Sequence, residues 1–531
     1  MITIPLLSEL GFEKFSSSEW RENQAEALDK ALNSPHKFVI AQAPTGFGKS
    51  PFAMGLGKLV EPKHDRMYQK DILDPQSAVL TGTKQLQAQY LGDFSDWARQ
   101  VRGRANFTCL TEPSVTAAHA ACTINNPKTC PSYNQCPYYV QRAKALFDSE
   151  MTIHSYAYFL NAANYSHAFT GQSCLVLDEA HLLDDMLMSF VTSPVLTATC
   201  RMFDIAYPPQ KEGWNWAGWK GWAEVYRDEL AEQVRALKGP ALANVQTRRK
   251  YSSGNALLKT IELLDKADAD KPWVCVPTQG GWDFMPTWVD KLADDLLYRH
   301  GHKVVLMSAT ILDYRTFAMT VGIDPNNCTF LDIPSSFPVG NKPVYYEPAM
   351  NVKAGQDLTP VCEAVYGIIR DHEGDKGLVH CVSYAVMDAI VKGAPPDVRE
   401  RLMWHATSDR LEKYEEFRRR TDNPVLLSPS MKEGVSLEGD MCRFIIIAKM
   451  PYPYLGSPQI KARMQTALGQ KWYAWKTMCD VIQMSGRGMR SAEDYCAVYI
   501  LDGNFKRLFQ QMRWCLPSYW LAELRDPQGL L

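Results

Sequence analysis

Short apolar runs of four or five residues recur along the chain, most of them ending in a small or polar residue, with helical stretches between them. This alternation predicts strands of parallel sheets joined by helical crossovers. The predicted strands are Lys37–Ala41, Ala78–Thr81, Cys174–Leu177 and Lys303–Met307 in the first half. Those in the second half are Gly377–Cys381, Val425–Ser428, Phe444–Ala448 and Val498–Leu501. Open α/β sheets take their ligands in the loops beyond the strand ends. Two stretches break the rhythm. Residues 105–145 show little strand pattern, and residues 190–300 read as largely helical and rich in Trp and charge; both read as insertions into the first sheet domain. Ile333–Lys342, with Pro334, Pro338 and Gly340, reads as the linker between the halves.

At 531 residues the chain is too long for one core. With 46% hydrophobic and 22% charged residues it has the composition of a soluble globular protein, and no apolar run approaches the roughly 20 residues that span a bilayer. The opening MITIPLLSELGFEKF has no basic segment and no long apolar core, so no signal peptide is expected there. The net charge of −2 advertises no nucleic-acid partner, which leaves local basic runs such as Arg248–Lys250 and Arg418–Arg420, or simply solvated faces.

Phe38–Ala41 leads into Ala43-Pro44-Thr45-Gly46-Phe47-Gly48-Lys49-Ser50 and then a helical stretch. Strand, glycine loop and helix is the setting of a phosphate-binding loop. Glycine lets backbone N–H groups close around phosphate oxygens at Thr45, Gly46 and Gly48, Lys49 adds charge, and the Ser50 hydroxyl suits Mg²⁺. Ala43 stands where the strict pattern has Gly. Leu175–Leu177 ends in Asp178-Glu179-Ala180-His181; here Asp178 is the candidate Mg²⁺ ligand and Glu179 the candidate for polarising a water. Far downstream, Gln483-x-x-Gly486-Arg487-x-x-Arg490 places two guanidiniums near one helix face, where both can approach a γ-phosphate or simply meet solvent.

Between these motifs Cys109, Cys122, Cys130 and Cys136 fall within 28 positions. The chain has 14 cysteines in all, so an even scatter would put fewer than one there. The others, Cys174, Cys381 and Cys442 among them, lie singly and suit buried thiols in a reducing compartment. From spacing alone the cluster is open between zinc, iron–sulfur and no metal, and His119 lies inside the same window.

Motifs and order together resemble superfamily 2 helicases. Gln24 sits where that superfamily has an adenine-reading glutamine, and Thr81–Leu86 resembles its nucleic-acid-touching motif Ia. Ser308-Ala309-Thr310 is similar to motif III and Ser383-Tyr384 to the motif IV region. Glu433–Gly439, with Gly434, resembles motif V of the XPD/DinG branch. That branch carries an iron–sulfur insert between motif Ia and the Asp-Glu box, where the four cysteines lie, and Gly103–Cys109 is similar to its approach to the first ligand. The resemblance runs from about residue 20 to 505. It implies two RecA-like parallel-sheet domains with an iron–sulfur insert and a mainly helical Arch-like insert in the first. The implied division is 1–104, 146–190 and 301–335 for the first domain, 105–145 and 191–300 for the inserts, and 336–531 for the second domain.

What the resemblance implies in function is a DEAH-box ATP-dependent DNA helicase. It would translocate on single-stranded DNA and unwind duplex or hybrid 5′ to 3′, with ATP as substrate, Mg²⁺, and a 4Fe–4S cluster on the four cysteines. Its partners would be single-stranded DNA, duplex junctions and a recruiting complex, with no membrane. It would work in the cytoplasm: at the nucleoid in a bacterium, or in the host cytoplasm if it comes from a phage. Two departures stand out: the spacing C-x12-C-x7-C-x5-C, and Asp502-Gly503-Asn504 where the family has Asp-x-Arg. Trp214, Trp216, Trp219 and Trp222 read either as helix packing or as a base-stacking platform, and Tyr384 and Phe47 invite the same question. Two rival readings are an RNA-directed ATPase with a zinc insert, and a decayed helicase serving as a nucleic-acid-binding module.

Overall fold

The computed structural model describes residues 4–15, 17–61, 77–207, 216–266, 273–430, 437, 439–489 and 491–531. Strand β1 (Phe38–Gln42) lies inside a seven-stranded parallel sheet with β2 (Ser77–Thr81), β3 (Ala98–Gln100), β4 (Met151–Ser155) and β5 (Gln172–Asp178). Three more strands, β6 (Ser193–Leu196), β7 (Trp273–Thr278) and β8 (Gly281–Pro286), form a separate antiparallel sheet. β9 (Gly301–Ser308) and β10 (Cys328–Asp332) complete the first sheet in the order β10-β1-β9-β5-β2-β4-β3. The second seven-stranded sheet is built from β11 (Val344–Met350), β12 (Gly377–His380), β13 (Leu402–Trp404), β14 (Val425–Ser428), β15 (Phe444–Ile447), β16 (Ala497–Asp502) and β17 (Leu524–Arg525). Its order is β13-β14-β12-β15-β16-β11-β17, with every pair parallel. All eight strands expected from the apolar runs belong to these two sheets, as the fold class requires. Their central positions are buried on both faces, which is why they read as continuous apolar runs.

The central strands place chemistry at one edge. β1, β9, β5 and β2 are consecutive neighbours, and the P-loop, Ser308–Thr310, Asp178-Glu179 and Thr81–Thr83 leave their carboxyl ends. Helix α1 (Gln24–Leu32) precedes β1, α2 (Lys49–Leu59) follows the P-loop, and α3 (Lys84–Phe94) follows β2. The cysteine-bearing stretch consists of short 3₁₀ turns ending in α4 (Pro137–Phe147) and has a small apolar nucleus of Cys109, Val115 and Ala120.

The second insertion is mainly helical, as expected, with the small antiparallel sheet added to it. A helical hairpin, Trp216–Ala243 with Val245–Lys266, packs with the small antiparallel sheet. Trp219 lies edge-on to Trp222, Trp282 and Phe284, and both Trp219 and Trp222 are buried. These indoles are core, not a stacking platform; Trp214 lies outside the described residues. Trp222 donates from Nε1 to the Ala206 carbonyl (2.7 Å). Trp222→Phe is therefore expected to lower stability by about 1 kcal/mol in a thermal melt while leaving single-strand affinity unchanged. A loss of affinity without a loss of stability would restore the platform reading.

Phe47 is also buried, against Phe52, so it offers no stacking face. Arg248 does not meet solvent either. It is 2% exposed, pairs with Glu112, and donates to the His119, Ala241 and Leu242 carbonyls. It thereby fastens the hairpin to the cysteine insert.

Candidate active site at the cleft between the two sheets

The P-loop bends through Gly46 and Gly48, both at positive φ (85° and 82°), where a side chain would be strained. Arg21 donates from Nη1 to the Gly46 carbonyl (2.8 Å). Gln24 donates from Nε2 to the Phe47 (2.6 Å) and Gly48 (3.1 Å) carbonyls, while its Oε1 accepts from the Arg21 N–H. Gln24 is 1% exposed. Its amide braces the loop from below rather than facing the cleft. On the other side the Phe337 ring from the interdomain segment lies over Gly46, close enough that a Cβ there would clash. Thr45 lines the cleft, and Ser50 lies in the first turn of α2.

Asp178 and Glu179 end β5 in different environments. Asp178 is buried; its Oδ1 accepts from the Glu179 N–H (2.8 Å) and its Oδ2 from the Tyr90 hydroxyl (3.0 Å). Burial, then the neighbouring Glu179 charge, raises its pKa. Glu179 adopts a left-handed backbone (φ 52°), an uncommon state for a non-glycine residue that turns its carboxylate into the cleft. Burial alone would raise its pKa, but Lys49, His181 and Arg487 outweigh that and hold it ionised. Lys49 Nζ is 3.3 Å from Glu179 Oε1, and His181 Nδ1 is 3.4 Å from Oε2.

A run of polar contacts leads from Glu179 across to the second sheet domain. His181 Nδ1 is 2.8 Å from Ser308 Oγ, which accepts from the Thr310 N–H (3.2 Å). Gln483 donates from Nε2 to Thr310 Oγ1 (2.9 Å), and Arg487 donates from Nη2 to Gln483 Oε1 (3.3 Å). Gln483 lies on the helix Ala467–Ser485, whose Trp475 Nε1 donates to the Ile311 carbonyl (2.7 Å). The cavity enclosed here measures about 530 Å³ and is lined by Thr45, Lys49, Glu179, Thr310, Gln483 and Arg487, among others. Arg490 and the motif V residues Glu433–Ser436, Gly434 included, lie outside the described residues. Tyr90, Arg21 and Phe337 carried no motif signal; they are recognised by their contacts.

Asn504, where an arginine was expected, donates to Asp502 Oδ1 (2.8 Å) and to the Val352 carbonyl (3.2 Å), fastening the strand end instead of facing the cleft. Tyr384 is 43% exposed and its hydroxyl meets Thr407 Oγ1 (2.7 Å).

At the entrance to the cysteine insert Arg104 is the organising cation. It lies over Tyr138 and Tyr139, donates to the Tyr139 hydroxyl (2.6 Å) and reaches Cys122 Sγ (3.6 Å). Thr111 Oγ1 is 3.3 Å from Cys130 Sγ, and Cys136 is the N-cap of α4. All four thiols are free, so the donor chemistry fits a thiolate-bound metal. Their geometry does not form a closed cage. Among the described residues no group of three or more His, Cys, Asp or Glu side chains is arranged to hold a metal ion.

Comparisons with known proteins agree with this architecture. Residues 21–210 match the DEAD/DEAH box helicase family and residues 368–522 the helicase C-terminal domain family. The chain is 21% identical over 549 residues to the ATP-dependent DNA helicase YoaA of Haemophilus influenzae, covering 83% of each protein. It is similar in fold to a solved XPD helicase (TM-score 0.68, 16% identity, 96% of this chain and 100% of that one). It is also similar to Xpd4 of S. tokodaii (TM-score 0.58, 16% identity, 95% and 100%). Among the described residues no helix is long and apolar enough to cross a membrane. Helicase matches over both sheet domains, together with a P-loop, an Asp-Glu box and an arginine-bearing helix meeting at one cleft, give this chain a DEAD/DEAH box helicase domain and a helicase C-terminal domain, in the fold of the solved XPD helicases.

Proposed function

We propose that the chain hydrolyses ATP to translocate 5′ to 3′ along single-stranded DNA and to unwind duplex or hybrid ahead of it. The observation that carries this reading is the contact path from Glu179 through His181, Ser308, Thr310 and Gln483 to Arg487, which joins the two sheet domains across the cleft. Lys49 and the N–H groups of Thr45, Gly46 and Gly48 would hold the phosphates, with Ser50 and Asp178 toward Mg²⁺. Mg²⁺, when bound, neutralises charge on the phosphates. Glu179, kept ionised, would take the proton of the attacking water. Arg487, with Arg490 assigned from the motif alone, would stabilise the charge that develops on the γ-phosphate. That assignment makes turnover depend on how the two domains meet. Gln24 would support the site by shaping the P-loop. Gly434 belongs to it by motif only.

The domain division proposed is the one read from the sequence, with inserts at 105–145 and 191–300. Cys109, Cys122, Cys130 and Cys136 would hold a 4Fe–4S cluster that supplies rigidity to a segment too poor in apolar residues to fold firmly alone. Anaerobically purified protein is expected to be coloured, absorbing at the blue edge of the visible; colourless protein with stoichiometric zinc would favour the rival zinc reading.

Strand displacement should proceed on 5′-tailed and forked substrates and fail on 3′-tailed ones. Binding should be independent of base sequence and should weaken steeply with salt, because the grip is on phosphates. Displacement from a 3′ tail alone would reverse the polarity. Affinity unchanged by added salt would refute the phosphate grip.

A further inference from the structure

Tyr90 sits on α3, fully buried, and its hydroxyl donates to Asp178 Oδ2 across 88 positions of sequence. The Ser50 hydroxyl lies beside the same phenol. Simple packing would be served better by phenylalanine, since burying a hydroxyl costs free energy unless it finds a partner. Here the partner is a carboxylate, and the bond is charge-assisted. With Oδ1 held by the Glu179 N–H and Oδ2 by Tyr90, both oxygens of Asp178 are tied and its rotamer is fixed.

The other faces of α3 look outward. Thr83 caps its N-terminus, accepting from the Leu86 N–H (3.2 Å), and Lys84 donates to Asn106 of the cysteine insert (3.2 Å). Gln85, Leu86 and Gln89 line the cleft. One helix therefore touches the loop Thr81–Thr83, the cysteine insert, the cleft and, through a single phenol, Asp178. We propose that Tyr90 is a positioning residue through which α3 sets the Asp178 carboxylate toward Mg²⁺. Single-stranded DNA engaging the N-terminal end of α3 then alters Mg²⁺ affinity at the nucleotide site. The inference rests on the nucleotide-site reading above.

Tyr156 provides the control. Its buried hydroxyl also contacts Asp178, but donates to the main-chain carbonyl (2.9 Å) and leaves the carboxylate untouched. The experiment is a Mg²⁺ titration of mant-ADP binding by fluorescence, on the full chain, with and without a single-stranded DNA oligonucleotide. For wild type the oligonucleotide should shift the half-saturating Mg²⁺ concentration. Tyr90→Phe should raise that concentration about tenfold and abolish the oligonucleotide's effect, while Tyr156→Phe should keep the wild-type response. Tyr90→Phe behaving as wild type, an oligonucleotide effect that survives it, or an equal shift in Tyr156→Phe would each overturn the inference while leaving the nucleotide site standing. Wild-type protein that binds no mant-ADP at any Mg²⁺ concentration would sink the nucleotide-site reading, and this one with it.

Discussion

Glu179→Gln is expected to lower ATP turnover by about a hundred- to ten-thousandfold while nucleotide binding persists. The substitution keeps size and shape, so the left-handed turn at position 179 is not asked to change. What it removes is the negative charge that faces Lys49 at 3.3 Å and His181 at 3.4 Å, and with it the oxygen able to take a proton from water. Lys49 and Arg487, with the His181 imidazole beside them, hold that carboxylate ionised against its burial, so it is in the form that can accept a proton. Steady-state hydrolysis beside mant-ADP binding separates the two roles. Turnover within threefold of wild type would remove Glu179 from the chemistry and revive the decayed-helicase reading.

Arg463→Ala is expected to cost about 3–5 kcal/mol, because it strands a buried carboxylate. Arg463 comes from the second half of the chain and is 2% exposed. It makes a two-pronged pair with Asp184 (2.6 and 3.0 Å) and donates from Nε to the Thr287 carbonyl (2.7 Å). Its guanidinium sits in the corner made by the perpendicular Trp288 and Trp472 rings, 4.2 and 4.5 Å from their centroids. Asp184 follows the Asp-Glu-Ala-His box by three residues, so this contact fixes the second domain against the segment that carries Asp178 and Glu179. Beside it Lys476 meets Asp185 (2.9 Å), with Asp185 largely exposed, so that pair should matter little. A thermal melt of Arg463→Ala, Asp184→Ala and the double variant checks the pairing. The double variant should lose much less than the two singles summed, since removing both partners leaves no orphaned charge. Additive losses would show that the two side chains do not act as a pair.

The sheet domains were legible because their central strands are buried on both faces, so Val39–Ala41, Leu175–Leu177 and Phe444–Ile447 read as unbroken apolar runs. Edge strands were not. Ala98–Gln100, Leu402–Trp404 and Leu524–Arg525 are two or three residues long, too short to show a period. The antiparallel sheet of the second insertion was hidden for another reason. Pro277 interrupts one strand and Gly280-Gly281 turns into the next, so the segment carries breaker residues where a strand signal was needed.

At the site, local motifs announced Lys49, Asp178 and Glu179. Tyr90 and Arg463 gave no such sign, because their partners stand 88 and 279 positions away and nothing in the neighbouring sequence records the contact. Arg248 misled in the opposite direction: within a basic triplet it read as surface charge, yet its partners are carbonyls and a carboxylate that only the fold brings to it.

If a strand-binding surface and the nucleotide cleft are coupled in one machine, hydrolysis must answer to the strand. The most direct test is steady-state ATP hydrolysis titrated separately with single-stranded DNA and single-stranded RNA of matched length. The expected result is turnover that rises saturably with DNA, much less with RNA, and disappears in Glu179→Gln. Turnover indifferent to DNA, or stimulated by RNA alone, would contradict it.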